Sequence, residues 1–292
     1  YFIGPSYITQ GERKIYCESG YYDVDIGRAH FSKNAIIRKK DQTASAESIL
    51  YSEQDSTVTF TGKAEIIDSS SVTRGDIIEI NDKTGDINIR GNAYYATEDQ
   101  RVTGPHIYYN NKTEDLKLEG RATIYQKQSQ LTGDTILYTD AIDFGDAKGD
   151  VIWIDTIEER TMLSDQVYYR DSISYYKAVT VDKRPLFIQQ IDCDSLFLSA
   201  DTLIRAEPTD STGYMMAIGN VKIFKSDLQA ICDSLYYSDI DSSFTLFKDP
   251  VCWSDTTQFI GDTISLFLKD GQLREIQARS NAFIASVDSY GY

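Results

Sequence analysis

The sequence is poor in the residues that most enzymatic chemistry would need. Only His30 and His106 occur among 292 residues, so neither a His-rich zinc site nor a catalytic site needing several histidines can be built. The four cysteines, Cys17, Cys193, Cys232 and Cys252, show no C-x-x-C pairing, which removes the usual zinc and thioredoxin-like readings. No apolar run approaches the roughly 18 residues of a membrane helix. Positive charge is scarce as well: Lys plus Arg is 29 against 45 Asp plus Glu, a formal charge of −16, which argues against a nucleic-acid partner. The chain opens at Tyr1 with no Met and no signal-peptide pattern, and is read as a mature or trimmed fragment whose signal peptide has been removed.

What the sequence does hold is tyrosine, 21 residues of it, with 12 phenylalanines and many Ile and Val, a composition that favours strands. It also holds a repeat. The segments TVTFTGKAEI, GDINIRGNAYY, EDLKLEGRATI and DAKGDVIWI centre on Gly62, Gly91, Gly120 and Gly149, each 29 residues from the last. The same column extends back to Lys33 and, with slips, forward to Lys177, Gly219, Lys248 and Ser280. Between these lies a second unit, among them AESILY, GDIIEI, GPHIYY, GDTILY, CDSLYY and GDTISL, so each repeat supplies two strand-like segments. Short links such as NDKTG and NNKTED read as hairpin loops and predict antiparallel neighbours. A parallel β-helix, one coil per repeat, is the competing arrangement.

In the glycine-centred strands the apolar residues keep one parity: Val58, Phe60, Ala64 and Ile66; Ile87, Ile89, Ala93 and Tyr95; Leu116, Leu118, Ala122 and Ile124; with Trp153 in the fourth. A mid-strand glycine costs stability unless the backbone bends or packs closely there, so a fold line across the sheet is expected. The second unit repeats Ile49, Ile78, Ile107, Ile136 and Val167, then Tyr51, Ile80, Tyr109, Tyr138 and Tyr169, with a one-residue slip of period at the Gly-Asp step of the kind a β-bulge produces. The expected fold is all-β: an antiparallel meander of about 18 long creased strands whose half-sheets face each other across an apolar trough. By position this divides into repeats over 1–181, an irregular insertion or junction over 182–213 and further repeats over 214–292, or runs as one continuous domain.

No constellation of catalytic or metal-binding residues stands out. His30 and His106 fall in outward columns beside Ser48, Thr59 and Thr135. The acidic column Glu47, Asp76, Asp134, Asp165, Asp194, Asp233 and Asp262 lacks a calcium β-roll signature and is expected to accept backbone N–H groups at the crease. Cys17, Cys193 and Cys232 occupy a small-residue column and are expected as free thiols, since equivalent positions in a meander lie about 9.5 Å apart. Asn111-Lys112-Thr113 is a hairpin loop. On the plainest reading the apolar columns are simply core.

Tandem units such as GDTILY and DLKLEGRATIY resemble the OstA/LptA superfamily of lipopolysaccharide transport proteins over most of the chain. That resemblance implies a periplasmic, non-enzymatic protein with an open β-jellyroll, or "β-taco", and no cofactor or metal. It implies that lipid A acyl chains of lipopolysaccharide are shielded by the apolar trough, here Phe60, Ile66, Ile78, Ile80, Ile89, Ile107, Tyr109, Leu118, Ile124, Ile136, Tyr138, Trp153, Val167 and Tyr169. Partners implied are other Lpt-type components joined by edge-strand addition, and a head-to-tail homo-oligomer. The charge of −16 is unfavourable to phosphorylated headgroups and predicts contact mainly with acyl chains. The alternatives are the periplasmic domain of an outer-membrane lipopolysaccharide assembly protein and a ligand-free structural β-repeat.

Overall fold

The computed structural model describes residues 1–191, 194–209, 212–269 and 272–286. They form two compact units, Tyr1–Ile142 and Asp143–Tyr292. The first holds ten strands, β1 (Phe2–Gln10), β2 (Arg13–Asp23), β3 (Arg28–Lys39), β4 (Gln42–Ser52), β5 (Thr57–Ile67), β6 (Val72–Asn81), β7 (Asp86–Ala96), β8 (Gln100–Asn110), β9 (Leu116–Gln126) and β10 (Ser129–Thr139). Each pairs antiparallel with the next. The meander is borne out, and the β-helix arrangement is excluded by this pairing.

The crease lies where the glycines put it. In β5, Thr61 faces Ile77 and Ala64 faces Gly75, so Gly62 and Lys63 together oppose Asp76 alone: a two-for-one bulge. Both residues of such a step are left-handed, as in Gly62-Lys63, Gly91-Asn92, Gly120-Arg121, Gly149-Asp150 and Gly219-Asn220. Glycine takes the first place because it adopts φ > 0 without cost and because a Cβ there would strike the carboxylate opposite; at Gly91 it would lie 2.3 Å from Oδ2 of Asp76. The second place is held by a residue that answers that carboxylate. Asn92 donates its side-chain amide to Asp76 at 3.1 Å, Asn220 to Asp201 at 2.8 Å and Asn281 to Asp262 at 3.1 Å. Arg121 likewise pairs with Asp134, whereas in the step Lys248-Asp249 it is the first residue, Lys248, that pairs with Asp233. The expectation of backbone donors holds for Asp165, which takes the N–H groups of Asp182 and Lys183, and for Asp194; at Asp76, Asp134, Asp233 and Asp262 the partner is a side chain. Gly91→Ala should therefore cost about 1–2 kcal/mol, the usual penalty for a left-handed L-residue, read as a lower urea midpoint at unchanged m-value.

The second unit is a meander of the same kind with interrupted strands. It comprises β11 (Phe144–Asp155), β12 (Arg160–Arg170), β13 (Tyr175–Val179), β14 (Leu186–Ile191), β15 (Asp194–Ser199), β16 (Thr202–Ala206), β17 (Tyr214–Lys225), β18 (Leu228–Ser238), β19 (Ser243–Phe247), β20 (Val251–Ser254), β21 (Thr257–Ile260), β22 (Thr263–Lys269), β23 (Gln272–Arg279) and β24 (Phe283–Ser286). β13 and β14 both pair with β12, β15 and β16 with β17, and β19 and β20 with β18; each pair is one creased strand broken at its fold line. β22–β23 and β21–β24 continue this pattern, so the 24 segments amount to 19 creased strands among the described residues, close to the number expected. Lys177 does not mark a crease. It lies within β13 opposite Tyr168 and Ile204, and the bend falls at 180–185, ahead of β14. The stretch expected to be irregular, of which 192, 193, 210 and 211 lie outside the described residues, carries β14, β15 and β16 in regular pairing.

The two halves of each creased sheet face one another. Tyr95 lies on the half of β7 paired with Val102, Tyr109 on the half of β8 paired with Ile87, yet their rings stack at 6.0 Å. In the second unit Trp153, opposite Met162, meets Tyr176, opposite Tyr169, at 4.9 Å. Ile49, Ile78, Ile107 and Ile136 are at most 1% exposed, and burial of each contributes about 1.5–3 kcal/mol.

Candidate functional site

The sequence-predicted lining falls into two tiers. Ile78, Ile89, Ile107, Leu118, Ile136 and Val167 sit next to the crease and are sealed, none more than 1% exposed. Phe60, facing Ile78 beside the crease, and Ile66, Ile124, Trp153 and Tyr169, two residues further out, are buried as well. Ile80, Tyr109 and Tyr138 stay half-exposed. The same open tier contains Tyr51, Val58, Ile87, Tyr95 and Leu116, which share the inward parity and complete the apolar rim of the first unit. Burial pushes the Tyr95 and Tyr109 phenols above their ordinary range, so the rim carries no charge of its own at neutral pH. A surface of this kind removes apolar groups from water at about 0.8 kcal/mol per CH₂ and makes no directional demand on them.

The rim of the second unit is clasped by charge. Arg160 opens the half of β12 that pairs with β14, while Arg205 lies in β16, on the half built around β13. Glu207 joins them: Arg160 Nη1 lies 3.4 Å and Arg205 Nη2 2.5 Å from its Oε1. Arg205 also donates to Asp239 at 2.5 Å, and its side chain is only 5% exposed. Ion pairs of the first unit, such as Arg74–Glu65 and Arg90–Glu79, join adjacent strands on exposed surface instead.

The remaining polar candidates take structural places. His30 Nε2 meets Ser48 Oγ at 2.8 Å, and His106 lies between Asn88 and Glu119, both on outward columns. Cys17, Cys232 and Cys252 are free and buried, and burial pushes Cys232 and Cys252 up to about 12; Cys193 lies outside the described residues. Asn110 Oδ1 accepts the N–H groups of Lys112 and Thr113, which makes the sequon a tight hairpin loop. The loop one repeat earlier has the same geometry on Asn81.

β1 pairs along one side only among the described residues and exposes Tyr1, Ile3 and Tyr7. Exposed apolar groups on an unpaired strand edge favour addition of another strand.

Residues 7–86 and 84–142 match the family model described as LptA/(LptD N-terminal domain) LPS transport protein. No curated protein matches the chain significantly. Among solved structures, the chain is similar to LptH, the LptA homologous periplasmic component of the lipopolysaccharide transport device from Pseudomonas aeruginosa. The identity is 14% and the TM-score 0.36, over 41% of this chain and 81% of that one.

Proposed function

We propose a function from one established point: residues 7–142 belong to the OstA/LptA-like superfamily of lipopolysaccharide transport proteins. The chain is a periplasmic, non-enzymatic carrier that shields the acyl chains of lipopolysaccharide along its apolar rim and passes them along a bridge between membranes. The observation that carries this reading is the open tier of Ile80, Tyr109 and Tyr138 with Tyr95 and Leu116, apolar, uncharged and repeated at near-equivalent positions from strand to strand. Equivalent sites of similar depth let a chain slide without falling into one trap. The exposed edge of β1 supports strand addition by an Lpt-type partner or by a second copy of the chain. A periplasmic domain of an outer-membrane assembly protein would use the same rim, and the family description includes such domains.

The sealed tier favours one competing reading, a ligand-free β-repeat whose interior is filled by its own side chains. Photo-crosslinking in a lipopolysaccharide-producing Gram-negative host separates the two. A photoreactive residue at Tyr109 or Tyr138 is expected to yield lipopolysaccharide adducts, and one at outward Thr135 or Lys117 is not. Absence of adducts at Tyr109 and Tyr138 in the folded, correctly located protein would leave the filled-core reading.

A further inference from the structure

The positive charge of this acidic chain is not spread evenly. Several strand cations stand beside a carboxylate, as Arg74, Arg90, Lys117, Lys148 and Lys225 do. The joint of β2 and β3 instead sets like charges against each other. There Arg13 faces Lys39 and Lys14 faces Arg38 in consecutive cross-strand registers, and Lys40 follows in the turn. Like charges directly opposite each other destabilise a sheet. Among the described residues no carboxylate lies within ion-pair distance of Arg13, Lys14, Arg38 or Lys39, and the nearby Glu12 is taken by Lys40 at 3.5 Å.

Beside this cluster is a cavity of about 320 Å³ between β1, β2 and β3, lined by Tyr7, Ile8, Tyr16 and Ile36 together with Lys14 and Arg38. The Tyr7 and Tyr16 rings stand 5.1 Å apart. The second unit repeats this composition in a cavity of about 470 Å³, where Tyr168 and Tyr175 accompany Arg170 and Lys177, again with no carboxylate in ion-pair distance among the described residues. An aromatic floor with two unneutralised cations at its lip fits a ligand that is anionic at one end and ring-like or apolar at the other.

We propose that Lys14 and Arg38 bind a phosphate of a phosphorylated glycolipid headgroup, with the sugar ring against Tyr7 and Tyr16. Arg13 and Lys39, in the neighbouring register, add to the local positive potential. The unpaired cross-strand cations are then a cost carried by the free protein and relieved by the ligand. This rests on the acyl-chain reading above and refines it: the net charge of −16 disfavours phosphate over most of the surface, and the facing cations of β2 and β3 oppose that locally. Arginine supplies a planar fork suited to phosphate oxygens and lysine a point charge.

The test uses the whole chain with two probes, lipopolysaccharide and the same lipopolysaccharide dephosphorylated by phosphatase. The double variant Lys14→Gln/Arg38→Gln is expected to bind the phosphorylated probe at least tenfold more weakly and the dephosphorylated probe as the wild type does. Arg90→Gln, at a cation already paired with Glu79, should change neither. In the free protein Lys14→Glu places opposite charges across the strands and should raise the Tm, which also shows that the site folds after substitution. Equal wild-type affinity for the two probes, or wild-type affinity in the double variant, overturns this proposal and leaves the apolar rim untouched. Failure of the wild type to bind either probe overturns both. Phosphatidylglycerol vesicles that bind with the same dependence on Lys14 and Arg38 would overturn the assignment to a glycolipid.

Discussion

Arg205→Ala is expected to cost the second unit about 3–5 kcal/mol, the usual consequence of removing one member of a buried ion pair and stranding the other. Arg205 is 5% exposed on its side chain and is the hub of the clasp, donating to Glu207 and Asp239. Without it Asp239, whose Oδ1 already lacks a partner, stays partly buried beside Glu207 with no guanidinium to offset either charge. Arg160 can still reach Glu207, but it cannot replace the bond to Asp239. Urea denaturation monitored by tryptophan fluorescence checks this, because Trp153 lies in the same unit against Tyr176. Salt separates the clasp from ordinary surface pairs. Raising ionic strength should leave the Arg205→Ala effect largely intact while erasing the small effect of Arg90→Ala, whose partner Glu79 is solvent-exposed. A loss for Arg205→Ala no larger than for Arg90→Ala would show that the clasp contributes no more than a surface pair.

The crease and the inward face were legible in the sequence because both rest on local chemistry that repeats. Gly62, Gly91, Gly120, Gly149 and Gly219 are favoured at a left-handed step that Lys33, Lys248 and Ser280 take in other repeats, and the alternation on either side of the step sets which side chains turn inward. The bend between β13 and β14 escaped because no glycine marks it. It is made by a longer stretch ending at Pro185 and held by the carboxylate of Asp165, which leaves Lys177 a plausible but mistaken column. Depth was also not legible. Ile78 and Ile80 share parity and residue type, yet one is sealed and the other half-exposed, and Tyr169 is buried in the column where Tyr109 and Tyr138 are not, because exposure is set by what the facing half-sheet places over each position. The clasp had no signature: Arg205 and Glu207 are near neighbours in the chain, but Arg160 and Asp239 come from other repeats and join them only when the second unit folds.

The division into tiers makes stability and lipid binding separable, which a single undifferentiated core would not allow. Leu118→Ala removes a side chain that is 0% exposed and pairs with Ile107 and Ile136, so a cavity remains and a loss of about 2–5 kcal/mol is expected. Ile80→Ala removes a half-exposed side chain of the same parity, and the cost to folding should be about 1 kcal/mol. If acyl chains lie on the open tier, their affinity should follow the opposite order. The folded fraction of Leu118→Ala should retain lipopolysaccharide binding, whereas Ile80→Ala combined with Tyr109→Ala should bind severalfold more weakly while remaining folded. Denaturant midpoints together with titration of lipopolysaccharide into the whole chain read both quantities. Parallel losses in stability and binding across the two tiers would mean that lipid reaches the sealed residues, so that the half-sheets must part to admit it. Loss of stability at Leu118 with unaltered binding in the Ile80/Tyr109 variant would place the lipid away from Ile80 and Tyr109, and the same pair of measurements on Tyr51→Ala and Tyr138→Ala would then decide whether any part of the open tier holds it.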